Sequence, residues 1–367
     1  MLNPVVYHDV YNIVLLFITL LLVQQYSSYR TSRLQSAQRQ PAVISLLLLL
    51  FMVLFIGTRP LSSRAFVDMV NYNQTYNMVA ENESVFTFSD DYYDILFTNL
   101  FNWMAISGYD SKFFFLVIAV IYFTFMWQAC RKWFPNDTLY AFVVYLSAFS
   151  TFSYGTNGIR AGAAASVFML ALAYRHDKLW LSVVLALMSW GIHHSMHVVL
   201  VAYFVVILVK NPIYYFGIWC ICILCAAIHL NPLSSLMLSI TDERSVGYLT
   251  AIGEWSGVQG FRLDFLVYSA VPIAIGYYIV FILRIRNVVY DTMLSLYLLL
   301  NSMWALCMYI PFNNRVAYLS WFLLPIVSIY PMLKLDMRPL QLQQYKLLNR
   351  VAGLYMAFLL FMRFVYE

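Results

Sequence analysis

Residues 156–197 read TNGIRAGAAASVFMLALAYRHDKLWLSVVLALMSWGIHHSMH. Two apolar runs, 160–174 and 179–194, flank a basic turn, Arg175-His176-Asp177-Lys178. Arg160 stands at the mouth of the first run; His193, His194 and His197 close the second. Two membrane helices joined by that turn carry Arg160 and His193 to the same side of the membrane. Ionisable side chains at membrane depth are costly and mark pathways or sites. The stretch therefore predicts a helical membrane fold and a place within it for chemistry.

Composition extends that reading to the whole chain. The 367 residues are 62% hydrophobic and 11% charged, with a mean hydropathy of +0.73, where a soluble domain is about half apolar and a quarter charged. A hydrocarbon core of about 30 Å needs about 20 apolar residues per helix. The sequence predicts an all-α, polytopic integral membrane protein, one transmembrane domain over 1–367. About twelve spans are expected, near 10–27, 41–57, 112–129, 138–152, 160–174, 179–194, 196–209, 212–229, 265–283, 288–309, 316–331 and 347–365. Two polar segments, about 58–111 and 230–264, interrupt them. Within the first, FVDMVNYNQTYNMV and YYDILFTNLFNWMAI show helical spacing and are expected as interfacial helices.

Charge sets the orientation. With the Arg30–Arg39 loop in the cytoplasm, 14 of the 22 Lys and Arg fall inside, as the positive-inside rule requires. The acids go the other way, and both polar segments face outward. The net charge of +5 thus belongs to membrane loops, and no basic patch interleaved with aromatics points to nucleic acid. Three of the five cysteines lie in the apolar run WCICILCAAI and read as small core residues, with no disulfide framework. No inverted repeat is evident, which disfavours a transporter built from two halves.

Four outward arginines, Arg59, Arg160, Arg262 and Arg315, break the charge bias where apolar spans meet polar segments. A guanidinium forks onto phosphate oxygens, and several on one face suit an anionic lipid headgroup; a snorkelling arginine is the competing reading. Asn157 precedes Arg160, and Asn313-Asn314 precede Arg315. The histidines admit three readings: a general base for a sugar hydroxyl, a zinc pair, or interfacial residues near Trp190. Zinc is disfavoured because no carboxylate adjoins them in sequence, so no metal and no cofactor are expected. Asp68 and Tyr72, four apart, suit a sugar and equally suit an ordinary interfacial helix.

These pieces, in this order, resemble the EpsG-type, Wzy-like polysaccharide polymerases of bacterial envelopes. The likeness rests on Asp68-x-x-x-Tyr72, the YYDILFTNLFNWM segment, Asn157-Gly158-Ile159-Arg160 with AGAAASV after it, the basic turn, His193-His194-Ser195, and Asn314-Arg315-Val316-Ala317-Tyr318. The resemblance implies a GT-C-like membrane glycosyltransferase in the bacterial inner membrane, its active site facing outward. It implies transfer of a growing glycan from undecaprenyl pyrophosphate onto the next lipid-linked repeat, with a chain-length regulator and a flippase as partners. Arg160, His193, Arg315 and Asp68 are then the expected catalytic set. Tyr72, Asn157, Arg59, Arg262, Tyr318 and His194 are expected to bind substrate. The competing activities are a lipid-linked oligosaccharide flippase or transporter and a multipass acyltransferase.

Overall fold

Apolar runs fold as helices in a membrane because each backbone N–H and C=O must be paired within its own segment. The computed structural model describes residues 3–28, 42–62, 65–82, 94–230, 260–310, 313–337 and 344–366, and among them every element is helical. The first nine α-helices are α1 (Tyr7–Ser28), α2 (Ala42–Gly57), α3 (Val67–Asn82), α4 (Ile95–Ile106), α5 (Ser111–Trp133), α6 (Thr138–Leu146), α7 (Phe149–Thr156), α8 (Ile159–Tyr174) and α9 (Leu179–Ile192). They are followed by α10 (Met196–Leu208), α11 (Pro212–Ala227), α12 (Leu263–Tyr277), α13 (Val288–Leu306), α14 (Asn313–Trp321), α15 (Leu324–Lys334) and α16 (Gln344–Tyr366).

Five segments are long and apolar enough to cross a membrane: Tyr7–Ser27, Ser111–Trp133, Leu263–Ile282, Asn313–Lys334 and Gln344–Val365. Shorter apolar helices accompany them, α2, α8, α9, α10 and α11 among them. The chain is a polytopic, all-helical membrane protein. Two expected spans differ in form. Region 138–152 is not one helix but α6 and α7, broken at Ser147-Ala148, where the Thr151 hydroxyl donates to the Tyr145 carbonyl at 2.7 Å. Region 316–331 is α14 and α15 joined at Phe322-Leu323. Pro325 has no N–H to continue the ladder and opens the second half. Expectations for residues 231–259, most of the second polar segment, lie outside the described residues.

The chain folds as two compact units, Met1–His197 with Leu340–Glu367, and Val198–Pro339. In the first, α3 presents Met69, Tyr72, Tyr76 and Val79 along one face and α4 presents Phe97, Phe101, Met104 and Ala105. These stripes recur at helical spacing and close on Phe114 and Phe115 of α5, with edge-to-face contacts between Phe101 and Phe114 (5.0 Å) and between Phe97 and Phe114 (5.5 Å). Small residues on α8 let its neighbours approach closely. A Cβ on Gly162 would sit 2.9 Å from the Tyr154 carbonyl oxygen, and Ser189 of α9 donates to the Ala164 carbonyl at 2.7 Å. Arg363 of α16 forks onto Asp9 of α1 at 2.7 and 3.2 Å.

In the second unit a buried polar chain joins α11, α13 and α14. Trp219 Nε1 donates to Asn301 Oδ1 at 2.9 Å, and Asn301 Nδ2 donates to Ser320 Oγ at 3.2 Å. Trp321 Nε1 donates to Ser269 of α12 at 2.8 Å.

Candidate functional site

The first unit brings Arg160, Tyr72, His193 and His194 together around a carboxylate that sequence reading left without a role, Asp94. Arg160 is the second residue of α8, after the Asn157-Gly158 turn that separates α7 from α8. A cation at the positive end of a helix dipole is locally unfavourable, so Arg160 depends on partners from other elements. Its Nη1 donates to Asp94 Oδ2 at 2.7 Å and its Nε to the Tyr72 hydroxyl at 2.8 Å. The rings of Tyr72 and Phe97 lie 5.6 and 5.7 Å from its Cζ, within cation–π range. Its Nη2 makes no hydrogen bond among the described residues, and the side chain is 41% exposed.

His193 follows the last turn of α9, its backbone extended, and its N–H donates to the Ser189 carbonyl. The helix thus ends where the two imidazoles can turn to one oxygen. His193 Nδ1 lies 3.2 Å from both Asp94 oxygens, and His194 Nδ1 lies 2.9 Å from Oδ1. The His194 backbone N–H donates to Oδ1 at 2.7 Å. An ionised carboxylate only accepts, so both imidazoles carry their proton on Nδ1. The Nε2 of His193 then remains to accept, with no hydrogen bond among the described residues.

Asp94 stands at the N-cap of α4, where an aspartate ordinarily accepts from the first-turn N–H groups. It makes no such bond, because its oxygens serve Arg160 and the histidines instead. The carboxylate is buried, 4% exposed. Burial alone pushes its pKa up; the hydrogen bonds from His193 and His194 and the charge of Arg160 outweigh that and hold it well below the ordinary carboxylate range. The signal in the sequence was an acid opening the apolar run ILFTNLFNWMAI. What hid its role is a separation of 66 residues from Arg160 and 99 from His193.

Other expected site residues stand as follows. Asp68 lies one turn before Tyr72 on α3 and is half-buried, but the carboxylate that reaches Arg160 is that of Asp94. Asn157 caps the C-terminus of α7, its side-chain oxygen buried and without a hydrogen-bond partner among the described residues; the same holds for the hydroxyl of Ser195, next to His194. Arg59 is not exposed. It is buried between Phe66 and Phe115, its Nη1 and Nη2 donating to the carbonyls of Ile56 and Thr156 at 2.6 and 2.7 Å. Arg262, Arg315 and Tyr318 belong to the second unit. There Arg262 spends its fork on Asp264 at 2.9 and 2.5 Å. Arg315 is exposed on α14, and Tyr318 packs on Trp321.

Asp94, His193 and His194 also offer three metal-ligand atoms within 4.8 Å of one another. This corrects the ground for expecting no metal there, since the missing carboxylate arrives from α4. Arg160 nonetheless opposes a dication. A unit charge about 4 Å away repels another by about 4 kcal/mol at an effective dielectric near 20, and a dication by twice that. The set joins a guanidinium and two imidazoles on one carboxylate.

No curated protein and no solved structure matches this chain. The sequence model of the EpsG family matches residues 42–366. That match takes in every residue of the Arg160–Asp94–histidine cluster, and the chain belongs to the EpsG family.

Proposed function

We propose that the protein is a polysaccharide polymerase that moves a glycan from a lipid pyrophosphate onto a hydroxyl of the next lipid-linked repeat, at the outer face of a bacterial inner membrane. Family membership supports the polymerase role. The observation that carries the chemistry is the single carboxylate, Asp94, with Arg160 on one oxygen and His193 within reach of both. In the reaction, the acceptor hydroxyl oxygen bonds to the donor's anomeric carbon as the bond from that carbon to the pyrophosphate oxygen breaks. The hydroxyl proton passes to His193 Nε2. Asp94 steadies the resulting imidazolium, as a carboxylate does for histidine in hydrolase triads. Negative charge grows on the departing pyrophosphate, and Arg160 Nη2 is placed to take it up. His194 shares the carboxylate, and Tyr72 fixes the plane of the guanidinium. Arg315 belongs to the second unit, and whether the reaction needs it is decided by substitution.

The test is purified full-length protein in detergent, incubated with a lipid-linked repeat and its products sized on a gel. A ladder of multiples is expected from the native chain and none from Arg160→Ala. Unextended single repeats from well-folded native protein would overturn the reading.

A further inference from the structure

Against the charged cluster lies an apolar cavity of about 220 Å³, lined by Leu96, Phe97, Leu100, Ile118, Ile121, Ala163, Met188 and Ile192 of α4, α5, α8 and α9. Its wall is continuous with the site. Phe97 is one turn beyond Asp94 and also lies under the Arg160 guanidinium; Ala163 is one turn beyond Arg160; Ile192 precedes His193. Ala163, Ile118 and Phe97 are buried, while Leu96 and Met188 are exposed, so the cavity opens sideways between α4 and α9. An apolar cavity of about 150 Å³ already stays dry and binds a benzene-sized guest. Here an apolar wall ends at an exposed guanidinium with a spare N–H pair. That pairing matches an amphiphile whose hydrocarbon chain ends in phosphate.

We propose that this cavity seats the phosphate-proximal isoprene units of a polyprenyl phosphate, with the phosphate at Arg160. The inference rests on the lipid-linked donor proposed above and specifies where that lipid lies. The lipid-linked donor proposed above makes the polyprenyl source of phosphate the expected occupant, and the competition below separates it from a phospholipid. Occupancy would place the breaking bond beside His193 and fix it against the acceptor, the advantage of holding reactants in an attack-ready geometry.

The experiment uses the full-length protein in nanodiscs, photolabelled with a polyprenyl phosphate carrying a diazirine on its first isoprene units. Labelled peptides are expected to carry adducts at Leu100, Ile121 or Met188. Unlabelled polyprenyl phosphate should compete, and phosphatidylglycerol at equal concentration should not. Met188→Trp, which blocks the exposed mouth without touching the core, and Ala163→Leu, which fills the floor, should each weaken labelling about tenfold, the worth of two methylene groups' lost contact. Adducts confined to other helices, equal competition by phosphatidylglycerol, or undiminished labelling of Met188→Trp would overturn the tail site. Polymer made without these adducts sinks only the tail site; these adducts in protein that makes no polymer sink only the polymerase reading.

Discussion

Asp94 accepts from three side chains at once, so its substitutions separate charge from shape. Asp94→Asn keeps the shape but can no longer orient both Nδ1 protons, and polymer synthesis should fall on the order of 10³–10⁴, as when a triad histidine is left in the wrong tautomer. Its folded pKa lies below the ordinary 3.8. The stability it contributes is therefore fully present above that value and is lost only as pH falls through the lower folded value. The Asp94 contribution to the melting difference between native protein and Asp94→Asn should shrink as pH falls below about pH 4. A contribution that shrinks already near neutrality would show that the carboxylate is not held this way. Arg160→Lys should fail nearly as fully as Arg160→Ala at normal abundance, since an ammonium cannot bond Asp94, Tyr72 and a phosphate in one plane. Arg59 should behave oppositely. Arg59→Ala strands two carbonyls at about 1–3 kcal/mol each, so the amount of protein in the membrane drops while polymer per molecule holds. Arg363 is paired with Asp9, away from the cluster; Arg363→Ala should lower the melting temperature and leave polymer length unchanged.

At the scale of elements, the site depends on how closely α4 lies against α9. A Cβ on Gly191 would come within 2.8 Å of Leu96 Cγ and Cδ1, so Gly191→Val must push α4 away or reshape Leu96. Displacement of α4 carries Asp94 off the histidines, and activity should fall further than abundance. Leu96→Ala in the same chain should restore part of it, a coupling that a double-mutant cycle reads directly. Gly162 differs, because its obstacle is the Tyr154 backbone, which cannot rotate out of the way. Gly162→Ala should cost about 1–3 kcal/mol as overpacking and show chiefly as poor folding.

For the whole molecule, the prediction concerns what else the reaction requires. The charge argument at Arg160 implies that polymer synthesis by the purified protein continues in the presence of a chelator. Complete loss that Mg²⁺ or Mn²⁺ restores would return Asp94, His193 and His194 to the role of metal ligands. Each unit is organised internally, by aromatic packing of α3, α4 and α5 in one and by the Trp219–Asn301–Ser320 chain in the other. Substitution at Arg315 asks whether that guanidinium of the second unit contributes to the chemistry: normal polymer from Arg315→Ala would remove it from the groups the reaction needs.

Hydrophobic runs, their lengths and their flanking charges were enough to predict a helical membrane protein, because segment-internal hydrogen bonding leaves such runs little else to become. The same local information placed Arg160 at a helix mouth and the histidines at a helix end, and ordered motifs were enough to suggest the family. Three things were decided only by tertiary structure. Asp94 was set between Arg160 and the histidines by aromatic packing of α4 on α3 and α5, contacts that no periodicity within one segment encodes. Arg59 was buried against two helix-end carbonyls, one of them 97 residues away, although its sequence surroundings match those of an exposed arginine. The apolar cavity exists only where α4, α5, α8 and α9 meet, its lining drawn from all four. Periodicity reports which face of a helix is apolar; the contacts between helices decide which polar groups share a site.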